Sequence, residues 1–238
     1  MGSSRLLLLP LLLLAIQARA QYIISDFNAG SDGWTAYTLA DPTTTVAWSA
    51  NSGNGGSGGL TLVEPANGAN DYFAAPAKFK GNLSAYYNGS VSFDLQLNLA
   101  PAGAEAAMII LSGFDANGSP LSIGYLPPSS AQYPVTSGFT TYTLNLNSTT
   151  AWAVVNSSDF TTATLATNTQ IESVLSNVTD FRIMGDWSNL QDRDILDNVA
   201  LQGVAAVPEP SQLSLFGIAG ALACFSAAWR QCRSKRSG

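Results

Sequence analysis

Residues 90–98 read Ser-Val-Ser-Phe-Asp-Leu-Gln-Leu-Asn, with apolar and polar residues in strict alternation. Successive side chains of a β-strand point to opposite faces, so this period of two predicts a strand with one buried and one exposed face. Residues 142–146 repeat the pattern. The apolar positions are Val91, Phe93, Leu95, Leu97, Tyr142, Leu144 and Leu146.

Short strand-like runs continue on both sides of this segment. The apolar run 107–111 and the run 121–125 flank the turn sequence Asp-Ala-Asn-Gly-Ser at 115–119, which predicts a β-hairpin. Upstream, the Gly-rich stretch Asn51–Gly59 is predicted to be a flexible loop between two early strands. Short strands separated by Gly, Asn, Pro and Ser clusters are typical of a β-sandwich.

One helix is predicted at Thr169–Val178. Thr169 and Glu172 have the spacing of a capping box, and the apolar residues of the segment share one helical face. A further strand is predicted at Asp180–Met184.

Composition and charge exclude several functions. The chain has 238 residues, 11% charged residues and no His, which excludes His-containing catalytic triads and His-ligated metal sites. The segment from Gln21 to Trp229 contains all 16 acidic residues of the chain but only four basic residues. The resulting negative surface would repel nucleic acid. The basic residues are Lys78, Lys80, Arg182 and Arg193.

Both ends carry targeting features. Residues 1–20 contain Arg5, a Leu-rich run and Ala18-Arg19-Ala20, which predicts a signal peptide cleaved by signal peptidase rather than an uncleaved anchor. At the other end, a linker at 204–211 precedes an uncharged apolar segment at 212–229 and a basic tail at 230–238. This order predicts a transmembrane helix with a cytoplasmic tail.

The C-terminal segment resembles the PEP-CTERM sorting signal of exported bacterial proteins. Pro208, Glu209 and Pro210 match its sorting motif, and the apolar segment and basic tail follow in the same order. The resemblance implies recognition by an exosortase, a membrane transpeptidase, and delivery to the cell envelope or extracellular matrix. An ordinary stop-transfer anchor after a Pro-rich linker is the alternative.

Four stretches between the two ends together resemble the laminin IV type A domain, also called laminin B. They are residues 26–34, residues 72–95 (Tyr-Phe-Ala-Ala-Pro through Ser-Phe-Asp-Leu), residues 174–184 and the closing Ile-Leu-Asp-Asn-Val-Ala-Leu of residues 195–201. The resemblance implies one all-β domain over residues 21–203, a jelly-roll β-sandwich of the carbohydrate-binding-module kind with no shared catalytic activity. The chain lacks the Cys-rich repeats that flank this domain in laminins.

A structural Ca²⁺ site is predicted at Asp26 and Asp197. These acids lie near the first and last strands, which are often neighbours in jelly rolls, and related modules frequently hold Ca²⁺ at that junction. The predicted domain has no Cys or His, so any metal ligands there would be oxygens, which suit Ca²⁺. Solvated or capping acids are the alternative.

The run of acids from Asp180 to Asp197 allows two interpretations. Paired carboxylates at a suitable distance could hydrolyse glycosidic bonds, whereas scattered acids in a solvated loop would have no such role. The solvated loop is favoured, because sequence spacing does not supply the required distance.

Exposed aromatic rings beside polar groups could bind a glycan by stacking. Trp187, between Asp186 and Ser188 in a predicted loop, is the first candidate, and Tyr125 is the second. Core packing is the alternative for each.

The sequence therefore predicts an exported, non-catalytic bacterial envelope or matrix protein that binds an extracellular polysaccharide or acts in adhesion. The alternatives are a secreted polysaccharide-active enzyme that uses Asp carboxylates, and a purely structural surface protein.

Overall fold

The computed structural model describes residues 20–38, 43–64, 70–101, 107–156 and 159–204. The predicted sorting motif, C-terminal apolar segment and basic tail lie outside these residues, as does the predicted signal peptide apart from Ala20. Within the described residues, no helix is long and apolar enough to cross a membrane. Residues Ala20–Val204 form one compact unit.

The first sheet, sheet A, has six antiparallel strands. They are β1 (Tyr22–Ser25), β3 (Thr45–Ser49), β4 (Gly59–Val63), β6 (Ser90–Gln96), β9 (Thr140–Asn145) and β13 (Arg193–Gln202). Their order is β3-β4-β13-β6-β9. Strand β13 pairs with β4 through its first half and with β1 through its second half, so the first and last strands are neighbours, as predicted.

The second sheet, sheet B, has seven antiparallel strands. They are β2 (Thr35–Tyr37), β5 (Tyr72–Ala74), β7 (Ile109–Phe114), β8 (Pro120–Tyr125), β10 (Ala153–Asn156), β11 (Asp159–Leu165) and β12 (Asp180–Met184). Their order is β11-β10-β8-β7-β12-β5-β2. The pairing of β7 with β8 confirms the predicted hairpin, and β12 coincides with the predicted strand at 180–184.

The two sheets form a β-sandwich with a continuous apolar core. The alternating residues of β6 and β9 are buried as predicted: Val91, Phe93 and Leu95 are fully buried, and Tyr142 and Leu144 nearly so. An aromatic cluster fills one region, where Trp34 makes edge contacts with Phe27, Phe79 and Phe181. Burial of apolar side chains of this size is the main source of the stability of the sandwich.

The single α-helix of the described residues, α1 (Asn168–Ser176), packs on β7 and β8. It buries Ile171, Val174 and Leu175, as its amphipathic pattern predicts. Gly113 of β7 allows this close approach, because a Cβ atom there would lie 2.9 Å from the carbonyl oxygen of Val174.

Candidate functional site

Five carboxylic acids are buried at one end of the sandwich, although acidic side chains are rarely buried without a partner. Their exposed fractions are 0% to 6%. The five residues, named here the carboxylate cluster, are Glu64, Asp71, Asp186, Asp192 and Asp194.

Sheet A supplies part of the cluster through the register of β4 and β13. Val63 pairs with Arg193, so Glu64 and Asp192 face each other just beyond this pair. The backbone N–H of Asp192 donates a hydrogen bond to Glu64 Oε1 at 3.0 Å, which fixes their relative position. Asp194 follows on β13 itself, opposite Leu62.

Sheet B supplies the remaining two acids in the same way. Met184 of β12 pairs with Tyr72 of β5, and the backbone N–H of Gly185 donates to the carbonyl oxygen of Asp71 at 3.0 Å. Asp186 follows directly. The cluster therefore forms where the ends of two strand pairs, one from each sheet, meet across the core.

Three of the five carboxylates lie within reach of one common atom. One oxygen from each of Glu64, Asp186 and Asp192 lies within 4.8 Å of the other two. Asp192 Oδ2 accepts hydrogen bonds from the backbone N–H groups of Trp187 at 3.2 Å and Ser188 at 3.1 Å, whereas its Oδ1 has no hydrogen-bond partner among the described residues.

The other two carboxylates are also only partly satisfied. Asp71 Oδ2 accepts a hydrogen bond from the Thr44 hydroxyl at 2.5 Å, and Asp194 Oδ1 accepts one from the Asn98 N–H at 3.2 Å. Asp71 Oδ1 and Asp194 Oδ2 are buried without a hydrogen-bond partner among the residues that the structure describes. An unsatisfied buried polar atom destabilises a fold, so three such oxygens at one place are unusual.

No cationic side chain of the described residues forms an ion pair with the cluster. Lys78 pairs with Asp32, while Lys80 and Arg182 both pair with Asp180. Burial, together with repulsion from the neighbouring acids, raises the pKa of Asp186 to about 8, and the same two causes raise the pKa of Asp194. Without a cation, the cluster therefore retains protons at neutral pH.

The prediction of a solvated acidic loop at 180–197 is wrong for most of its members. Asp186, Asp192, Asp194 and Asp197 are buried, and Asp180 forms an ion pair. Glu64 and Asp71 were not predicted as site residues. A Glu directly after an apolar strand is the only local signal for Glu64, and its pairing with Asp192 spans 128 positions in the sequence.

A second group of buried polar residues lies in the middle of sheet A, around Asp94 and Asp197. Asp197 Oδ2 accepts hydrogen bonds from the Asn54 N–H at 2.8 Å and the Ser57 hydroxyl at 2.7 Å. Asp94 Oδ2 accepts one from the Asn54 side chain at 2.9 Å. The loop predicted to be flexible does join β3 to β4, but it is tied to these two carboxylates and covers them. Because this loop covers it, Asp94 is only 5% exposed although it lies on the polar face of β6.

Asp26 and Asp197 lie near the same strand junction in different environments. Ser25 pairs with Val199, which places Asp26 just past the end of β1. Asp26 is exposed and accepts a hydrogen bond from the Asn28 N–H, whereas Asp197 is fully buried. A Ca²⁺ ion shared by the two remains a prediction.

Neither of the two predicted glycan-stacking residues is fully exposed. Trp187 is 2% exposed and packs against Tyr133 with ring centroids 5.4 Å apart, so its faces are not available to a sugar. It instead anchors the loop that carries Asp186. Tyr125 is half-buried, and its ring makes an edge contact with Trp152. The polar neighbours of Trp187 in the sequence predicted its loop position correctly, but they carry no signal for the depth of its burial.

A polar groove of about 440 Å³ lies beside α1. It combines the phenol of Tyr87, the carboxylate of Glu172 and four aliphatic hydroxyl groups from three Ser residues and one Thr. Backbone hydrogen bonds from Gly81 to Val178 and from Leu83 to Leu175 hold its two walls together. The lining residues are Ser84, Tyr87, Thr169, Glu172, Ser173 and Ser176.

Comparison with solved structures identifies one laminin domain with the same fold and two carbohydrate-binding modules with lower similarity. The L4b domain of human laminin alpha-2 is similar with a TM-score of 0.58 at 11% sequence identity, covering 78% of this chain and 98% of that chain. A family 11 carbohydrate-binding module of a Clostridium thermocellum cellulase has a TM-score of 0.49 at 14% identity, covering 79% of this chain and 98% of the module. The CBM22-1 xylan-binding domain of Paenibacillus barcinonensis Xyn10C has a TM-score of 0.43 at 13% identity, with coverages of 79% and 98%.

Sequence comparison gives the family. A search of curated proteins found no match. The family model described as laminin B (domain IV) matches residues 72–215, which is more than half of the chain and includes β5 to β13. Together with the laminin-like sandwich, this match shows that the chain belongs to the laminin B (domain IV) family.

Proposed function

We propose that this protein is an exported, non-catalytic adhesion module that binds an extracellular polysaccharide. The observation that carries the proposal is the groove beside α1. Its volume of about 440 Å³ falls within the range of about 300–1,000 Å³ that is usual for ligand sites.

The groove offers the groups that sugars require. An aromatic ring packs against sugar C–H groups, while hydroxyl and carboxylate groups take the sugar hydroxyls. Tyr87 supplies the ring and Glu172 the carboxylate, and Glu172 is exposed. These residues replace Trp187 in the proposed glycan contact; Tyr125 remains a separate prediction.

The proposal is tested by retention of the purified full chain on a polysaccharide array, with release of reducing sugar followed in the same wells. We expect saturable retention without release. Tyr87→Ala should weaken retention by about 5- to 150-fold, since stacking and its associated burial contribute about 1–3 kcal/mol. Tyr22→Ala removes an aromatic side chain that is 57% exposed outside the groove and is the matched control.

Because Tyr87 also packs on the core, Glu172→Gln and Ser173→Ala provide milder variants that should weaken retention without unfolding the protein. Absence of retention by the full chain, or equal retention by all the groove variants, would overturn glycan binding at this groove. Release of sugar would overturn the non-catalytic assignment.

The proposed route to the outside of the cell uses both termini. Signal peptidase removes residues 1–20, and an exosortase recognises Pro208, Glu209 and Pro210 while segment 212–229 holds the chain in the membrane. Processing then releases the laminin B module to the envelope or matrix. The order of motif, uncharged segment and basic tail supports this route.

A further inference from the structure

The carboxylate cluster combines crowded acids with buried oxygen atoms that lack partners. Transfer of a carboxylate from water into a protein interior is strongly unfavourable unless an opposite charge or hydrogen bonds compensate for it. Among the described residues, no Lys or Arg forms an ion pair with the cluster. The unpartnered oxygens are Asp71 Oδ1, Asp192 Oδ1 and Asp194 Oδ2.

We propose that Glu64, Asp186 and Asp192 bind one Ca²⁺ ion at the end of the sandwich, with Asp71 and Asp194 as its nearest acidic neighbours. The proposal does not depend on glycan binding, and the residues differ from the Asp26 and Asp197 pair predicted from the sequence.

Distance favours this assignment. Ca²⁺ binds six to eight oxygens at about 2.3–2.6 Å, so two oxygens on opposite sides of the ion lie about 4.8 Å apart. One oxygen from each of the three acids lies within 4.8 Å of the others, so a single ion can contact all three. The ion would neutralise two of their negative charges.

Ligand chemistry separates Ca²⁺ from other metals. The cluster offers only oxygen, whereas structural zinc sites use Cys and His. Mg²⁺ requires distances of about 2.1 Å and usually keeps several waters, which suits a buried set of protein oxygens less well than Ca²⁺.

The ion would join the two sheets. Glu64 and Asp192 adjoin strands of sheet A, while Asp186 follows β12 of sheet B. The loop from β12 to β13 is held by Trp187 and by its backbone hydrogen bonds to Asp192. Ca²⁺ is therefore expected to stabilise the sandwich at the end where this loop crosses between the sheets.

The test begins with the purified full chain, treated with EDTA and dialysed. Calcium binding is measured by isothermal titration, and the melting temperature is measured with and without CaCl₂. We expect a rise in Tm of about 5–10 °C when free Ca²⁺ exceeds its Kd by 100-fold. Tb³⁺, which replaces Ca²⁺, should show luminescence sensitised by Trp187, which adjoins Asp186 in the sequence.

Asp186→Asn and Asp192→Asn keep the side-chain shape and remove one ligand charge each. We expect each variant to lose one bound Ca²⁺, the associated rise in Tm and the Tb³⁺ signal. In EDTA, Asp186→Asn should be at least as stable as the unmodified protein, because it removes one of the crowded carboxylates. That comparison shows that the variant folds.

Asp115→Asn, at an exposed turn, and Asp197→Asn, at the other buried acidic group, are the matched controls. Both should keep the ion at the cluster. The proposal is overturned if the full chain binds no Ca²⁺ at millimolar concentration, if Mg²⁺ raises Tm equally, or if Asp197→Asn abolishes all Ca²⁺ binding while Asp186→Asn does not.

Discussion

At the scale of single residues, Gly185 determines where Asp186 lies. It follows β12 and approaches the core so closely that an added Cβ atom would lie 2.7 Å from the Phe73 ring and 3.0 Å from Leu62 Cδ1. Both neighbours are fully buried, so neither can move away without disturbing the packing. The absence of a side chain at 185 therefore allows the chain to deliver Asp186 to the carboxylate cluster.

Gly185→Ala is expected to lower the free energy of unfolding by about 1–3 kcal/mol, the usual cost of overpacking a core. Gly138→Ala is the control, since a Cβ atom there has no neighbour within 4 Å, and it should change stability by less than about 0.5 kcal/mol. Urea denaturation of the two variants measures the difference. Equal stability would show that the core around Phe73 adapts freely.

At the scale of secondary structure elements, α1 begins at Asn168, one residue earlier than predicted, and its N-cap is Thr167 instead of Thr169. Both Thr167 and Thr169 have a Gln or Glu three positions later, so the sequence offers two overlapping capping boxes. The structure uses the first: the Thr167 hydroxyl accepts from the Gln170 N–H at 3.2 Å, and the Gln170 side chain accepts from the Thr167 N–H at 2.9 Å. The helix also ends at Ser176, before the predicted Val178.

Thr167→Ala should therefore destabilise the protein by about 1 kcal/mol, the usual cost of losing an N-cap side chain. Thr169→Ala lies inside the helix and is expected to leave stability nearly unchanged, because Ala is the better helix former there. Thermal unfolding followed by circular dichroism compares the two. Greater destabilisation by Thr169→Ala would mean that the second box forms instead.

At the scale of the whole molecule, residues Ala20–Val204 form one compact unit. The first and last strands of this unit pair within sheet A, since β1 and β13 are neighbours. Both termini of the unit therefore leave from the same strand pair.

The proposed sorting route predicts loss of the C-terminal segment in a host that contains an exosortase. A tag placed after Gly238 should disappear from the unmodified protein in that host and remain in one without the enzyme. Glu209→Ala should keep the tag in both, because the Pro-Glu-Pro motif is incomplete. Immunoblotting of membrane fractions distinguishes these cases, and equal tag loss without the enzyme would contradict the route.

The sequence by itself determined the local elements. Alternation with a period of two located β6 and β9, the turn at 115–119 located the β7–β8 hairpin, and the apolar face of α1 identified its buried side. These signals are local, because each depends on residues within one turn or one strand. Four ordered stretches also indicated the family, although each stretch alone carried little information.

Only the tertiary structure decided which polar residues are buried. Asp94 looked exposed on its strand, but the loop at 53–57 covers it, and the carboxylate cluster takes its members from strand ends far apart in the sequence. A period of two shows which residues share one face of a strand, but it does not show what covers that face. Burial and charge in this protein depend on how the two sheets and their loops meet, and that arrangement is set by long-range packing.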